Sequence, residues 1–212
     1  MKESIKPTRL YLARHGEVVA QGQKTFLGFT DLGLSPEGER QIRALAKYLK
    51  GISLDRAYAS NLIRAVASAR SICRGRAIQP LTDPAFREMN MGDWDGKTWE
   101  EIKQKHPELS PYFFYNLKTF RFPGGETWGQ FRTRVLRGLR DVLKKDQGKN
   151  ILLAAHAGVN RIILAQALGL RFRNMFCLDQ AYACLNIIEY YGSFSRVILM
   201  NATFYNPSNK RG

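Results

Sequence analysis

Leu10-Tyr11-Leu12-Ala13-Arg14-His15-Gly16-Glu17 is a short apolar run that ends in a cation, an imidazole and a glycine. The run predicts a buried strand, Leu10 to Ala13, that delivers the residues after it to one end of a sheet. Each residue type at that end suits phosphate chemistry. Histidine offers a nucleophilic ring nitrogen, arginine a planar fork of donors for phosphate oxygens, and glycine room for a bulky anion to approach the backbone.

Further along the chain, Asn150-Ile151-Leu152-Leu153-Ala154-Ala155 is a continuous apolar run of the kind a strand buried on both faces requires. His156-Ala157-Gly158 follows it and leads into a helix over Val159 to Leu168. Between these two strands Ser35 is placed to cap a helix, Pro36 suits its first position, and Glu39 stands in its early turns. Ile42, Leu45, Ala46 and Leu49 form its apolar stripe, and Gly51 marks its end. A strand over Asp55 to Ala59 comes next, then a helix from Asn61 to Cys73 with Leu62, Val66 and Ala69 facing inward, then a short strand near Ile78 to Leu81. A helix over Trp128 to Lys145 shows Phe131, Val135, Leu139 and Val142 on one face. Two β-rich runs, Ala183 to Tyr190 and Arg196 to Ala202, joined at Gly192-Ser193, predict a hairpin at the sheet edge. This alternation specifies an α/β fold, a three-layer α/β/α arrangement on a mainly parallel central sheet. Residues 82–127 break the rhythm. They are proline-punctuated and aromatic-rich, with one short helix predicted at Thr98 to Lys105, and read as a lid or insertion over a site.

At 212 residues and 44% hydrophobic composition, residues 1–212 fit one large domain with ample core. No stretch approaches the roughly 20 apolar residues of a membrane helix, and Met1 to Pro7 carries no apolar signal core, so a soluble cytoplasmic protein with no membrane partner is expected. Cys73, Cys177 and Cys184 lack Cys-x-x-Cys spacing, so neither a disulfide framework nor a zinc site is expected; buried small hydrophobes are. The 33 basic against 18 acidic residues give +15, which makes anions the expected company. That charge is scattered through helices (Arg132, Arg134, Arg137, Arg140, Lys144, Lys145) and forms no nucleic-acid module, so a small phosphorylated metabolite is expected in place of specific nucleic acid. No metal or cofactor is called for. Asp93-Trp94-Asp95-Gly96 resembles a fragment of a calcium loop, yet Gln104 stands where the loop's closing glutamate belongs.

His15 and His156 each lie just past the carboxyl end of a strand, where open α/β sheets bind ligands, so the two rings are expected to share a pocket. Arg64 is expected in the first turn of a helix that starts beside the same edge, where Arg14 and Arg64 together clamp one phosphoryl group. Arg70, Arg74 and Arg76 are expected as solvated charges and His106 as a surface residue. A departing alkoxide needs a proton, and Glu88, in an aromatic setting, is the candidate donor.

Arg14-His15-Gly16-Glu17, the Ser60-to-Ala69 segment with Arg64-Ala65, the Glu88-to-Gly96 segment and Ala155-His156-Ala157-Gly158 together resemble the phosphoglycerate-mutase-like branch of the histidine phosphatase superfamily. The Gly28-to-Gly38 segment, Arg87 to Ile102, and Pro123-Gly124-Gly125-Glu126 resemble the α-ribazole phosphatases of cobalamin synthesis within that branch. The resemblance implies that His15 attacks phosphorus and becomes phosphohistidine. Arg14, Arg64 and His156 would bind the transferring group, with Gln21, Gly28 and Ala157 as further contacts. Glu88 would protonate the leaving group and then help activate water. The family's hydroxyl residue and asparagine are replaced here by Val18 and Gln21. Phosphoglycerate mutase is the alternative within the branch, but mutases carry Tyr where Met91 stands; a broad-specificity phosphatase of the same branch is another. Tyr112, Phe113, Phe114, Tyr115, Phe120 and Phe122 are expected either to line the leaving-group pocket or to pack beneath the lid.

Overall fold

Six strands carry the fold: β1 (Thr8–Arg14), β2 (Arg56–Ala59), β3 (Leu81–Thr82), β4 (Asn150–Ala155), β5 (Leu185–Tyr190) and β6 (Ser195–Ala202). The computed structural model, which describes residues 6–19, 25–109 and 119–206, orders them β3-β2-β4-β1-β5-β6. β3, β2, β4 and β1 pair in parallel, and the hairpin of β5 and β6 adds two antiparallel strands at one edge. The sheet is therefore mixed and mainly parallel.

Side-chain alternation along β1 explains the two helical layers. Leu10 and Leu12 enter a core shared with α4 (Trp128–Lys145) and α5 (Ala157–Ala167), while Tyr11 and Ala13 enter a second core shared with α1 (Pro36–Leu49) and α2 (Ile63–Cys73). α1 begins as its sequence requires, with the Ser35 hydroxyl accepting the Gly38 N–H at 3.0 Å. Thr98 and Thr127 open α3 (Trp99–Lys105) and α4 with reciprocal capping pairs to Glu101 and Gln130. α1 and α2 end together, and Arg76 spans both ends, donating to the carbonyls of Leu49, Ile52 and Ile72. It is a shared cap for orphan carbonyls and not a solvated charge.

Several boundaries differ from expectation for local reasons. The third strand is Leu81–Thr82, set by its pairing with Tyr58 and Ala59, and Ile78 packs against the α1/α2 core instead. In α2 the inward face is Ala65, Ser68, Ala69 and Ile72, with Val66 half-buried, because the helix starts at Ile63 and its period runs from there. α5 starts at Ala157, since His156 is extended (φ −129°, ψ 169°) and occupies the cap position. Cys73 and Cys184 are buried but Cys177 is exposed. His106 is half-buried, its ring 6.3 Å from that of Trp94.

The described parts of residues 82–127 send Phe86, Met89, Trp94, Ile102, Phe120 and Phe122 into the α4/α5 core. Phe120 and Phe122 meet edge to face at 5.1 Å and are core side chains, not a pocket wall. Tyr112, Phe113, Phe114 and Tyr115 lie outside the described residues. No helix among the described residues is long and apolar enough to cross a membrane.

Candidate active site

Register brings the two histidines together. Arg14 of β1 stands opposite Ala155 of β4, and neighbouring strands lie about 4.8 Å apart, so the next residue of each must emerge beside the other. The His15 and His156 rings sit 5.1 Å apart at 61°. His15 Nδ1 lies 2.7 Å from the Gly16 carbonyl oxygen. A carbonyl oxygen only accepts, so Nδ1 carries the hydrogen and the Nε2 lone pair is left free. Burial, then the charges of Arg14 and Arg64, hold the His15 ring well below the usual histidine range. Burial, then His15 and the same two arginines, do likewise for His156. Both rings are therefore neutral at pH 7.

Arg64 is the second residue of α2 and is 1% exposed. Its guanidinium donates to the Thr30 carbonyl at 2.7 Å and to the Gly28 carbonyl at 2.8 Å. That loop is in turn held by Asp95, whose carboxylate accepts the successive N–H groups of Gly28, Phe29 and Thr30. The Gly28 amide is thus committed to Asp95, and Gly28 serves the site through the carbonyl that aims Arg64. Asp95 is an anion in a nest of amides. Asp31 completes the arrangement by accepting the Ile63 N–H at 2.7 Å, at the start of α2.

Arg14 donates to the Gln180 carbonyl at 2.6 Å and lies 3.9 Å over the Tyr182 ring. Gln180 is buried, and its side-chain amide accepts a hydrogen bond from Asn160 Nδ2 and donates one to Asn186 Oδ1, each at 3.0 Å. After these contacts, Arg14 Nε, Arg64 Nε and both ring nitrogens of His156 remain buried with no partner among the described residues. Folded proteins leave few buried polar atoms unpaired, because each costs about 1–3 kcal/mol. Arg14 Nε, Arg64 Nε and the single N–H of the neutral His156 ring are thus buried donors without a partner on residues that act on or adjoin His15, an arrangement that can cradle an anion beside that ring.

Glu88 is buried, and its carboxylate accepts the Gly158 N–H at 3.0 Å and the Met89 N–H at 2.9 Å. It therefore sits at the amino end of α5, whose first residue, Ala157, contributes one of the first-turn amides that have no intrahelical acceptor. Val18 is buried and bridges to Leu34. Gln21 lies outside the described residues.

The structure adds Asp95, Gln180, Tyr182 and Arg134, which sequence reasoning does not single out for this site. Asp95 stands out in the sequence only within Asp93-Trp94-Asp95-Gly96, whose spacing does not fit a calcium loop. Arg134, one of the cations scattered through the helices, is largely enclosed and donates to three carbonyls and to Glu126.

Residues 10–203 match the histidine phosphatase superfamily (branch 1), and the chain belongs to that superfamily. It is 32% identical over 203 residues to a bifunctional protein of Mycobacterium tuberculosis, a match covering 94% of this chain but 55% of that relative. The chain thus spans about half the length of its mycobacterial relative. It is 26% identical over 201 residues to the adenosylcobalamin/α-ribazole phosphatase of Escherichia coli, covering 95% of this chain and 99% of the relative. The crystal structure of the α-ribazole phosphatase from Shigella flexneri superposes with a TM-score of 0.87 at 26% identity, over 92% of this chain and 96% of that one. The fold is the phosphoglycerate-mutase-like α/β fold of these neighbours.

Proposed function

We propose that this protein is a metal-independent phosphomonoesterase that passes the phosphoryl group through His15 Nε2, acting on a small anionic metabolite, with α-ribazole 5′-phosphate as the leading substrate. The observation that carries the reading is the bond between His15 Nδ1 and the Gly16 carbonyl, which leaves a neutral ring with its lone pair on Nε2 beside the cradle. In the first step the Nε2–P bond forms as the P–O bond to the leaving group breaks, and Glu88, entering as the carboxylic acid, gives that oxygen its proton and becomes the carboxylate. In the second, water attacks phosphorus, the P–Nε2 bond breaks, and Glu88 takes the proton. Arg14, Arg64 and His156 hold the equatorial oxygens. Phosphoryl transfer depends chiefly on positioning and charge neutralisation, and two guanidiniums supply the charge a metal otherwise would.

The α-ribazole assignment is supported by the likeness to the Escherichia coli and Shigella flexneri phosphatases over nearly their whole length. The same proposal treats residues 1–212 as one catalytic domain with 82–127 as its insertion, working in the cytoplasm on a small metabolite without specific nucleic acid. Phosphate release should be followed with EDTA present on α-ribazole 5′-phosphate, 3-phosphoglycerate, p-nitrophenyl phosphate, nucleotides and sugar phosphates. High efficiency on α-ribazole 5′-phosphate, lost in folded His15→Ala, is expected. Weak activity across the panel would reject the substrate, and isomerisation of phosphoglycerate without hydrolysis would reject the reaction.

A further inference from the structure

The chemistry above gives the Pro123-Gly124-Gly125-Glu126 run no part. The structure shows what it holds. Gly92 adopts φ +53°, and a Cβ there would lie 1.9 Å from the Pro123 carbonyl oxygen; a Cβ on Gly125 would lie 2.4 Å from the Asn90 carbonyl oxygen. The two backbones are thus pressed together, joined by Asp93 N–H to the Pro123 carbonyl at 2.8 Å and Glu126 N–H to the Asn90 carbonyl at 3.0 Å. This close approach sets Glu126 against the segment that carries Glu88.

Glu126 then grips Arg134 of α4 in a two-pronged ion pair, through Nε at 3.0 Å and Nη2 at 2.6 Å, with both side chains mostly enclosed (19% and 14% exposed for Arg134 and Glu126). Arg134 donates onward to the carbonyls of Ala85 at 3.0 Å, Arg87 at 2.8 Å and Glu88 at 2.6 Å. Glu126 also accepts the Asn90 N–H at 2.7 Å. Backbone groups on both sides of Glu88 therefore hang on one guanidinium and one carboxylate. Beyond the short turn Pro84–Phe86, residues 87–91 belong to no helix or strand that would fix them otherwise. A planar fork with five donors suits this task, and a lysine ammonium cannot reproduce it.

We propose that Glu126 and Arg134 are positioning residues for Glu88, forming a bracket that fixes its backbone so that its carboxylate meets the leaving-group oxygen; the proposal rests on Glu88 being the proton donor. Both residues contact the backbone around Glu88, so their effect is expected in the step that needs Glu88's proton.

The leaving group provides the readout. A p-nitrophenolate departs without a proton, whereas an alkoxide requires one. The ratio of kcat/KM for a simple alkyl phosphate to that for p-nitrophenyl phosphate is measured in the parent chain, Glu88→Gln, Glu126→Gln, Arg134→Lys and the double variant Glu88→Gln/Glu126→Gln, each checked for folding by its thermal melt. Glu88→Gln should lower the ratio by about 10²-fold or more. Glu126→Gln and Arg134→Lys should lower it by about tenfold or more, and Glu126→Gln should add no further fall in the Glu88→Gln background. Arg134→Lys keeps the cation and carries the test where Glu126→Gln does not fold. Equal losses on both substrates, or a fall in the ratio that persists without Glu88, would overturn the bracket while leaving the acid in place. An unchanged ratio in Glu88→Gln would instead remove Glu88 as donor, and the bracket with it.

Discussion

Gly158→Ala tests the placement of Glu88 from the other side. A Cβ at position 158 would lie 2.3 Å from Glu88 Oε1 and 3.0 Å from Cε1 of Phe131, a ring packed in the core. An ordinary carbon–oxygen contact needs about 3.4 Å, so one neighbour must retreat by roughly 1 Å. The carboxylate, at the end of a flexible side chain, is the one that can move. Alanine favours the helix by up to about 1 kcal/mol over glycine, while losing the Gly158 N–H bond to the carboxylate costs about 1.5–3 kcal/mol and crowding the Phe131 ring about 1–3 kcal/mol, so the variant is destabilised by a few kcal/mol and its folding is checked directly. A displacement of about 1 Å at a reacting group is enough to cost about 10²-fold in rate. The assay is kcat/KM on an alkyl phosphate and on p-nitrophenyl phosphate, alongside a thermal melt. We expect a loss near 10²-fold on the alkyl ester, a smaller loss on the aryl ester and a folded chain with a Tm lowered by roughly 5–15 °C. A folded Gly158→Ala with alkyl ester activity within about twofold of the parent would refute the assignment of Glu88 as proton donor.

Two other perturbations follow from the site. His15 and His156 are held neutral in the folded protein, while an unfolded chain protonates them near pH 6.5. Their contribution is therefore complete above about pH 6.5 and is lost as pH falls toward the depressed folded values, by up to about 1.4 kcal/mol per pH unit for each ring. Urea unfolding between about pH 6.5 and 5.5 should show this slope, and His156→Asn should roughly halve it; a flat profile in the parent would contradict neutral rings. Asp95→Asn exchanges a carboxylate held by three amides for a group with one acceptor, which loosens the Gly28–Thr30 loop and the Arg64 it aims. KM should rise and kcat/KM fall by about tenfold or more, and unchanged kinetics would separate Asp95 from the site.

Chemistry that travels with a strand end was legible in the chain itself. The apolar runs before His15 and His156 predict two buried strands, polar turns follow them, and a parallel sheet places such turns at one edge. Arg64 was legible for the same reason, because a strand at residues 56–59 and a helix from residue 63 fix its position within a few residues of sequence. These are local properties, set by period, capping and the reach of a short turn. The aim of each side chain was decided elsewhere. Arg64 is pointed by carbonyls held by Asp95, Arg14 by the Gln180 carbonyl, and the Glu88 segment is bracketed by Glu126 and Arg134, over separations of tens to more than a hundred residues. Period and capping say nothing about such pairs. A carboxylate reads the same in sequence whether it meets water, amides or a guanidinium, and only packing decides which. The sequence by itself thus determined the layers of the fold and the residues gathered at its carboxyl edge. Tertiary structure alone decided the His15 tautomer, the committed Gly28 amide and the burial of Arg134, because each depends on a hydrogen-bond partner that only the folded backbone puts within 3 Å.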